Sequence, residues 1–295
     1  MAELVHTIAS YNVSWTNSSG VYRDNVDALK SRPSEYDFIK RATKPHEFWH
    51  NVIGNISNFI RATNPSVIGL QEAGRTEDIT ELSMIKENYN HHINIQGPAC
   101  LLTLWRKDLG ELAAESSGEL GIGRDTGRPI SIISTTKGYL LVNLHSPHRL
   151  SVEAQQAMIS DRLQPFLDSA KTDLSRIFIM GDFNNNSYLN SNPLRLRQAT
   201  LTPGNETETI SCCYSSRAPS LSKYRRGGDY CFGQNNRRPL AVFLSPMDAE
   251  GGSVASDHEM VFASFASNPD EKGGGKRRIS SNKRTRKRLS KRRQT

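Results

Sequence analysis

The sequence predicts a mixed α/β fold with large sheets, and three observations carry that expectation. Short apolar runs of strand type recur from residue 4 to residue 265. Two stretches with helical periodicity lie between some of them. With 36% hydrophobic and 23% charged residues in 295, the chain can bury a sizeable core without cross-links,.

In chain order, Leu4–Val13 is the opening strand, followed by Thr16–Pro45, a polar segment too long for an ordinary connection and therefore a surface insertion or a functional loop,. Phe48, Val52, Ile56, Phe59 and Ile60 then share one helical face, and the Asn64-Pro65 step stops that helix, because a residue before proline is pushed out of the helical region,. Strands are expected at Ser66–Gln71, Ala99–Arg106, Ile130–Thr135 and Gly138–Leu144,. Ser151 can cap a second helix, in which Ala154, Met158, Leu163 and Phe166 lean one way and Pro165 is a candidate kink,. Arg176–Met180, Pro239–Ser245 and Glu259–Phe265 complete the strands, with the polar segment Ser211–Arg238 interrupted by Asp229-Tyr-Cys-Phe232. Residues 1–268 read as one catalytic domain and residues 269–295 as a disordered basic tail beyond the Gly273-Gly-Gly275 hinge,.

Charge divides along the same boundary. The formal net charge of +8 suggests a polyanionic partner, but Lys272–Thr295 alone carries twelve Lys and Arg and no acid,. The preceding 271 residues hold 26 basic and 30 acidic side chains, a mildly acidic body of net −4. Lys276, Arg277, Arg278, Lys283, Arg284, Arg286, Lys287 and Arg288 form the dense part of the tail, which reads as a nuclear localisation signal, a nonspecific nucleic-acid anchor, or both,. Adhesion to anionic lipid is the lesser reading, since no hydrophobic anchor accompanies the charge. Cys100, Cys212, Cys213 and Cys231 show neither a repeated spacing nor a C-x-x-C pair, which disfavours a zinc site or disulfide framework,. No run approaches the ~18 apolar residues of a spanning helix. The amino terminus lacks the basic start and apolar run of a signal peptide, so an intracellular, nuclear or virion-associated location is expected,.

The chemistry gathers where strands stop. Asn12 lies near the end of the first run, Glu72 directly follows Gln71, His145 directly follows Leu144, and Asp182 follows Gly181. Asp257-His258 precedes its strand and reaches the same edge if that strand is antiparallel to its neighbours. Strand ends fix such residues while the loops leave room for a ligand. Hard oxygens from Asn12, Glu72 and Asp257 suit Mg²⁺, with Mn²⁺ as a substitute, and two histidines beside acids supply proton-transfer groups,. Metal-assisted displacement at phosphorus is the implied reaction.

Ser10-Tyr-Asn12, Leu70-Gln-Glu-Ala73, Gly127-Arg-Pro129, Leu144-His-Ser146, Gly181-Asp-Phe-Asn184 and Ser256-Asp-His258 follow one another in the order that marks the endonuclease/exonuclease/phosphatase superfamily. The resemblance spans about residues 4 to 266, and within the superfamily the motifs look most like deoxyribonuclease I-like nucleases. It implies an α/β (α+β) four-layer sandwich, with two mixed, mainly antiparallel β-sheets packed face to face and helices outside. Roles follow by the same resemblance. Glu72 would bind the divalent ion, supported by Asn12 and Asp257. His145 and His258 would flank the scissile phosphate, one activating water and the other serving the leaving oxygen. Asp229 would hold His258 in the useful tautomer, Asp182 and Asn184 would position phosphate and water, and Arg128 would contact phosphate oxygens,. A second Glu is expected to orient the first histidine, with Glu77, Glu81 and Glu87 all in range.

Each residue alone has a blander reading: Gly181-Asp-Phe-Asn184 as an ordinary turn, Asp257-His258 as a strand start, Asp229 as a turn residue, Arg128 as a solvated charge. The ordered set outweighs them. The expected function is a divalent-metal-dependent phosphodiesterase, a monomeric deoxyribonuclease I-like endonuclease preferring DNA to RNA. The alternatives are a phosphomonoesterase acting on phosphoinositides or nucleotides, and an inactive relative that only binds nucleic acid.

Overall fold

The computed structural model describes residues 5–13, 47–96, 99–120, 128–147, 151–170, 176–184, 197–198, 229–233, 241–244, 258 and 260–266. Thr16–Pro45, most of Ser211–Arg238, Asp257 and the basic tail lie outside them.

Strand β1 (Val5–Asn12) leads through helix α1 (Glu47–Thr63) to β2 (Val67–Gln71). Short helices α2 (Thr76–Thr80) and α3 (Ser83–Asn88) precede β3 (Tyr89–Gln96) and β4 (Ala99–Arg106). Then come β5 (Leu112–Leu120), β6 (Arg128–Thr135), β7 (Leu140–His145), helix α4 (Val152–Ala170) and β8 (Ile177–Asp182). Strands β9 (Arg197–Gln198), β10 (Asp229–Gly233), β11 (Ala241–Leu244) and β12 (Val261–Ala266) complete the described chain.

These strands form two six-stranded sheets, ordered β11-β12-β1-β2-β4-β3 and β5-β6-β7-β8-β10-β9. Each contains one parallel pair, β1 with β2 and β7 with β8, and the other pairs are antiparallel. A parallel pair needs a crossover, and α1 and α4 supply the two.

Alternation along the strands builds the layers. From β1, Ala9 and Tyr11 face outward and join Val52, Ile56, Phe59 and Ile60 of α1 in one buried cluster. From β7 and β8, Leu140, Val142, Leu144, Ile177 and Ile179 meet Ile159 and Leu163 of α4 in a second. The third cluster lies between the sheets, with Ile8, Val67 and Trp105 from one side and Leu141, Phe178 and Met180 from the other. Burying a Leu, Ile or Phe side chain contributes about 1.5–3 kcal/mol, so these three interfaces hold the helix, sheet, sheet, helix stack together.

The expected helix signals operate as read. Asn64 takes a left-handed φ of 44° and ends α1 just before Pro65. The Ser151 hydroxyl accepts the Ala154 backbone N–H at 3.2 Å and caps α4, and Pro165 is accommodated inside that helix. Strands β3 and β5 carry no clear sequence signal because each is the outer strand of its sheet and keeps polar residues such as His91 and Glu115 toward solvent,.

Glycine sets the spacing of the sheets. A Cβ on Gly69 of β2 would sit 2.5 Å from Met180 Cγ and 2.9 Å from Asn143 Oδ1 in the opposite sheet. At the far end of the same layer, His6 is buried against Phe178, with Nδ1 3.3 Å from the Ser66 hydroxyl and Nε2 3.4 Å from the Tyr139 hydroxyl. Burial first, then the nearby Arg106 guanidinium, lowers its pKa to about 4.

Candidate active site

The parallel pairs β1/β2 and β7/β8 bring their carboxyl ends to one edge of the sandwich, and the antiparallel strands β10 and β12 begin there. Asn12 pairs with Gln71, the residue before Glu72. His145 pairs with Asp182, and Asp229 stands opposite Asp182 on the other side. His258 lies three residues before β12, which is antiparallel to β1 as the reading of Asp257-His258 required.

The side chains of this edge converge on Asp182. Its Oδ2 accepts a hydrogen bond from Asn12 Nδ2 at 3.0 Å and lies 3.6 Å from His145 Nε2 and 3.9 Å from His258 Nε2. Its Oδ1 accepts the Asn184 backbone N–H at 2.9 Å. Burial alone would raise this carboxyl, but His258, His145, the Asn12 amide and the Asn184 N–H together hold it below the ordinary aspartate value,. Asp182 is therefore the ionised centre around which two imidazoles are arranged.

The turns that present these groups are conformationally unusual. Asn184 adopts φ 51°, which asparagine tolerates, and its side chain donates to the Ser146 carbonyl at 2.8 Å,. Ser146 in turn donates its backbone N–H to the Asp182 carbonyl at 2.7 Å. The loops after β7 and β8 are thus tied to each other. Glu72 adopts φ 58°, a left-handed conformation costing a non-glycine residue about 1–3 kcal/mol, and turns sharply out of β2,.

Glu72 Oε1 lies 3.8 Å from His145 Nδ1 and 3.8 Å from Arg128 Nη1. Arg128 Nη1 donates to His145 Nδ1 at 3.2 Å. A guanidinium has only donors, so Nδ1 must be the acceptor and the ring proton belongs on Nε2, facing Asp182. Glu72 and Asp182 both stand within 4 Å of the His145 ring nitrogens, and Glu81, one of the three expected partners, pairs with Lys86. Asp182 Oδ2 also faces His258 Nε2, and Asp229, the expected partner of that ring, enters the edge as the first residue of β10 with its side chain outside the described residues.

Exposure is graded across the site: Asp182 and His145 are buried, Glu72 is 12% exposed and Arg128 28%. A ligand entering from solvent meets the guanidinium and the Glu72 carboxylate before the buried His–Asp pair. Glu72 and Asn12 offer hard oxygen donors at the ends of adjacent parallel strands, a set that fits Mg²⁺ or Mn²⁺, which take one or two protein oxygens and keep waters,. Among the described residues no three His, Cys, Asp or Glu side chains converge as a cage, and Asp257, the further expected ligand, lies outside them. Gln71 and Asn143, buried amides that interrupt the apolar runs of β2 and β7 directly beneath the site, join the residues expected there. A polar residue at an inward position of an apolar strand was the available signal.

A two-sheet α/β sandwich with amide, carboxylate and imidazole groups at one edge is the architecture of phosphoester hydrolases, and the comparisons with known proteins agree. Residues 9–258 match the profile of the Endonuclease/Exonuclease/phosphatase family, and the chain belongs to that family. Its members are hydrolases acting on phosphate esters, among them nucleases, phosphodiesterases and phosphatases, and they generally use divalent metal ions. An endonuclease/exonuclease/phosphatase family protein from Bacteroides thetaiotaomicron has a similar fold, with a TM-score of 0.59 and 15% identity, covering 92% of this chain and 99% of that one. The human Nocturnin catalytic domain with bound sulfate has a TM-score of 0.59 at 14% identity, covering 90% and 97%. D. rerio TDP2 complexed with single-strand DNA product has a TM-score of 0.54 at 14% identity, covering 88% and 98%. No curated protein matches the chain. No helix among the described residues is long and apolar enough to cross a membrane.

Proposed function

We propose that this protein is a divalent-metal-dependent phosphodiesterase that cuts DNA internally, in the manner of deoxyribonuclease I. The observation that carries the reading is Asp182, an ionised, buried carboxylate with His145 and His258 on one of its oxygens, beside Glu72 and Arg128. Two imidazoles around one anion suit a reaction that must remove a proton from attacking water and return one to a leaving oxygen. His145 and His258 take these two tasks. Asp182 stabilises whichever imidazole is charged, and with Asn184 it positions the phosphate and the water. Arg128 supplies a charge-assisted donor to a phosphate oxygen, and Asp229 supports the His258 end.

Glu72, with Asn12 and Asp257, would hold Mg²⁺ or Mn²⁺, which when bound neutralises developing charge on the phosphoryl oxygens. The DNA preference is supported by the basic tail and by the single-strand DNA product held by the TDP2 relative. In this reading residues 1–268 act as one monomeric catalytic domain, and residues 269–295 tether it to nucleic acid or direct it to the nucleus or a virion. A phosphomonoesterase is the competing reading, since the family includes phosphatases.

Incubation with supercoiled plasmid and Mg²⁺ tests the proposal, with Glu72→Ala and His145→Ala in parallel and phosphate release from a soluble inositol phosphate in the same buffer. Nicking by the wild type and its loss in both variants is expected. Intact plasmid across a full metal titration removes the nuclease reading, and phosphate release in its place establishes the phosphatase.

A further inference from the structure

The layer between the sheets changes character along its length. Away from the site it is filled by Ile8, Val67, Leu141, Phe178 and Phe265. Next to the site the inward positions are Ser10, Gln71, Thr103 and Asn143, every one with no exposed surface. Ser10 Oγ donates to Gln71 Oε1 at 3.3 Å. Gln71 Nε2 donates to Asn143 Oδ1 at 2.8 Å, from one sheet to the other, and to the Gly69 carbonyl at 3.1 Å. Asn143 Nδ2 faces the Leu70 and Leu102 carbonyls and the Thr103 hydroxyl, each at 3.2 Å, so an amide of β7 grips the backbone of β2 and β4.

Stability alone does not call for this. A buried hydrogen bond contributes only about 1 kcal/mol net, and replacing both partners by apolar groups of the same shape can be neutral. What the amides add is direction: apolar faces can slide over one another, while a 2.8 Å bond between two fixed amides fixes where one sheet sits on the other,. Sequence position says what is being fixed. Ser10 is two residues before Asn12 and Asn143 two before His145, each pair on one face of its strand, and Gln71 directly precedes Glu72,.

We propose that Gln71 and Asn143 are positioning residues, a hydrogen-bonded bar that sets the separation of Asn12 and Glu72 in one sheet from His145 and Asp182 in the other. Its kinetic arm rests on the nuclease reading proposed above; its structural arm does not. A misplacement of about 1 Å can cost on the order of 100-fold in rate, so the bar is worth far more to turnover than to folding.

The test compares Asn143→Leu, Gln71→Met and the double variant with the full-length wild type by urea unfolding, by kcat and KM for plasmid cleavage with Mg²⁺ at low temperature, and by ¹H–¹⁵N spectra of the imidazoles with His145 assigned. Each single variant is expected to lose about 10- to 100-fold in kcat with KM within about threefold of wild type, and the double to be no worse than the poorer single. The His145 ring resonances are expected to move in all three. If a single variant unfolds because it strands one buried amide, the double, in which both amides are replaced, carries the comparison. A folded double with wild-type kcat, or His145 resonances that superimpose on those of wild type, overturns the proposal. A wild type that leaves plasmid intact while His145 still moves in the variants removes the nuclease reading and upholds the bar as the support of His145.

Discussion

Asn12, the last residue of β1, donates its amide to Asp182, the last residue of β8, at 3.0 Å, joining the edges of the two sheets. Asp182 is held ionised by this bond and by the histidines beside it. Asp182→Asn keeps the shape and removes the charge that both imidazoles face. Turnover is expected to fall by about 100- to 10,000-fold, the range of general acid–base contributions, with KM for plasmid nearly unchanged. Steady-state kinetics of the purified variant check this, and a loss confined to KM would move Asp182 from the chemistry to substrate binding.

His6 predicts how stability responds to pH. Its folded pKa is lowered from 6.5 to about 4 by burial and then by Arg106, so between those values the unfolded chain binds a proton that the folded chain does not,. Stability attributable to this group is complete above about pH 6.5 and falls as pH drops toward 4, by about 3 kcal/mol at most,. Urea midpoints between pH 7 and pH 4 measure the slope, which His6→Gln is expected to flatten.

Gly69→Ala tests the spacing of the sheets. The added methyl would meet Met180 and Asn143 across the interlayer, and overpacking of this kind costs about 1–3 kcal/mol,. A lowered urea midpoint with unchanged slope is the expected outcome.

Deletion of residues 272–295 removes twelve cations and no acid. DNA binding is expected to weaken and its salt dependence to flatten, while the turnover of bound substrate stays as it was. Binding isotherms of the full-length and truncated proteins at low and high salt measure this. Coincident curves at both salts would assign the tail to something other than DNA.

The site was legible in the sequence because its residues stop strands: Asn12, Glu72, His145 and Asp182 each end an apolar run whose period is plain, and parallel pairing carries those ends to one edge. The contacts among them were not legible. Asn12 and Asp182 lie 170 positions apart, and nothing local to either shows that one amide would hold one carboxylate between two histidines. The sequence offers Glu77, Glu81 and Glu87 as partners of His145, whereas the carboxylate on the protonated side of the ring is Asp182 and Glu72 lies near its other nitrogen. Edge strands β3 and β5 leave no apolar run in the sequence because much of each faces water. The Gln71–Asn143 pair is invisible in the sequence because a lone polar residue in a strand gives no hint of its partner across the layer.

The strand order of the first sheet has a consequence for the timing of assembly. Strand β12, the last described, lies between β11 and β1, and pairs with the strand nearest the amino terminus, Val5 opposite Ala266. During synthesis β1 must wait with one side unpaired until residue 266 leaves the ribosome, and His258 arrives with that final strand. No earlier nascent intermediate can hold the complete edge, so the site is assembled only when the two ends of the domain have met.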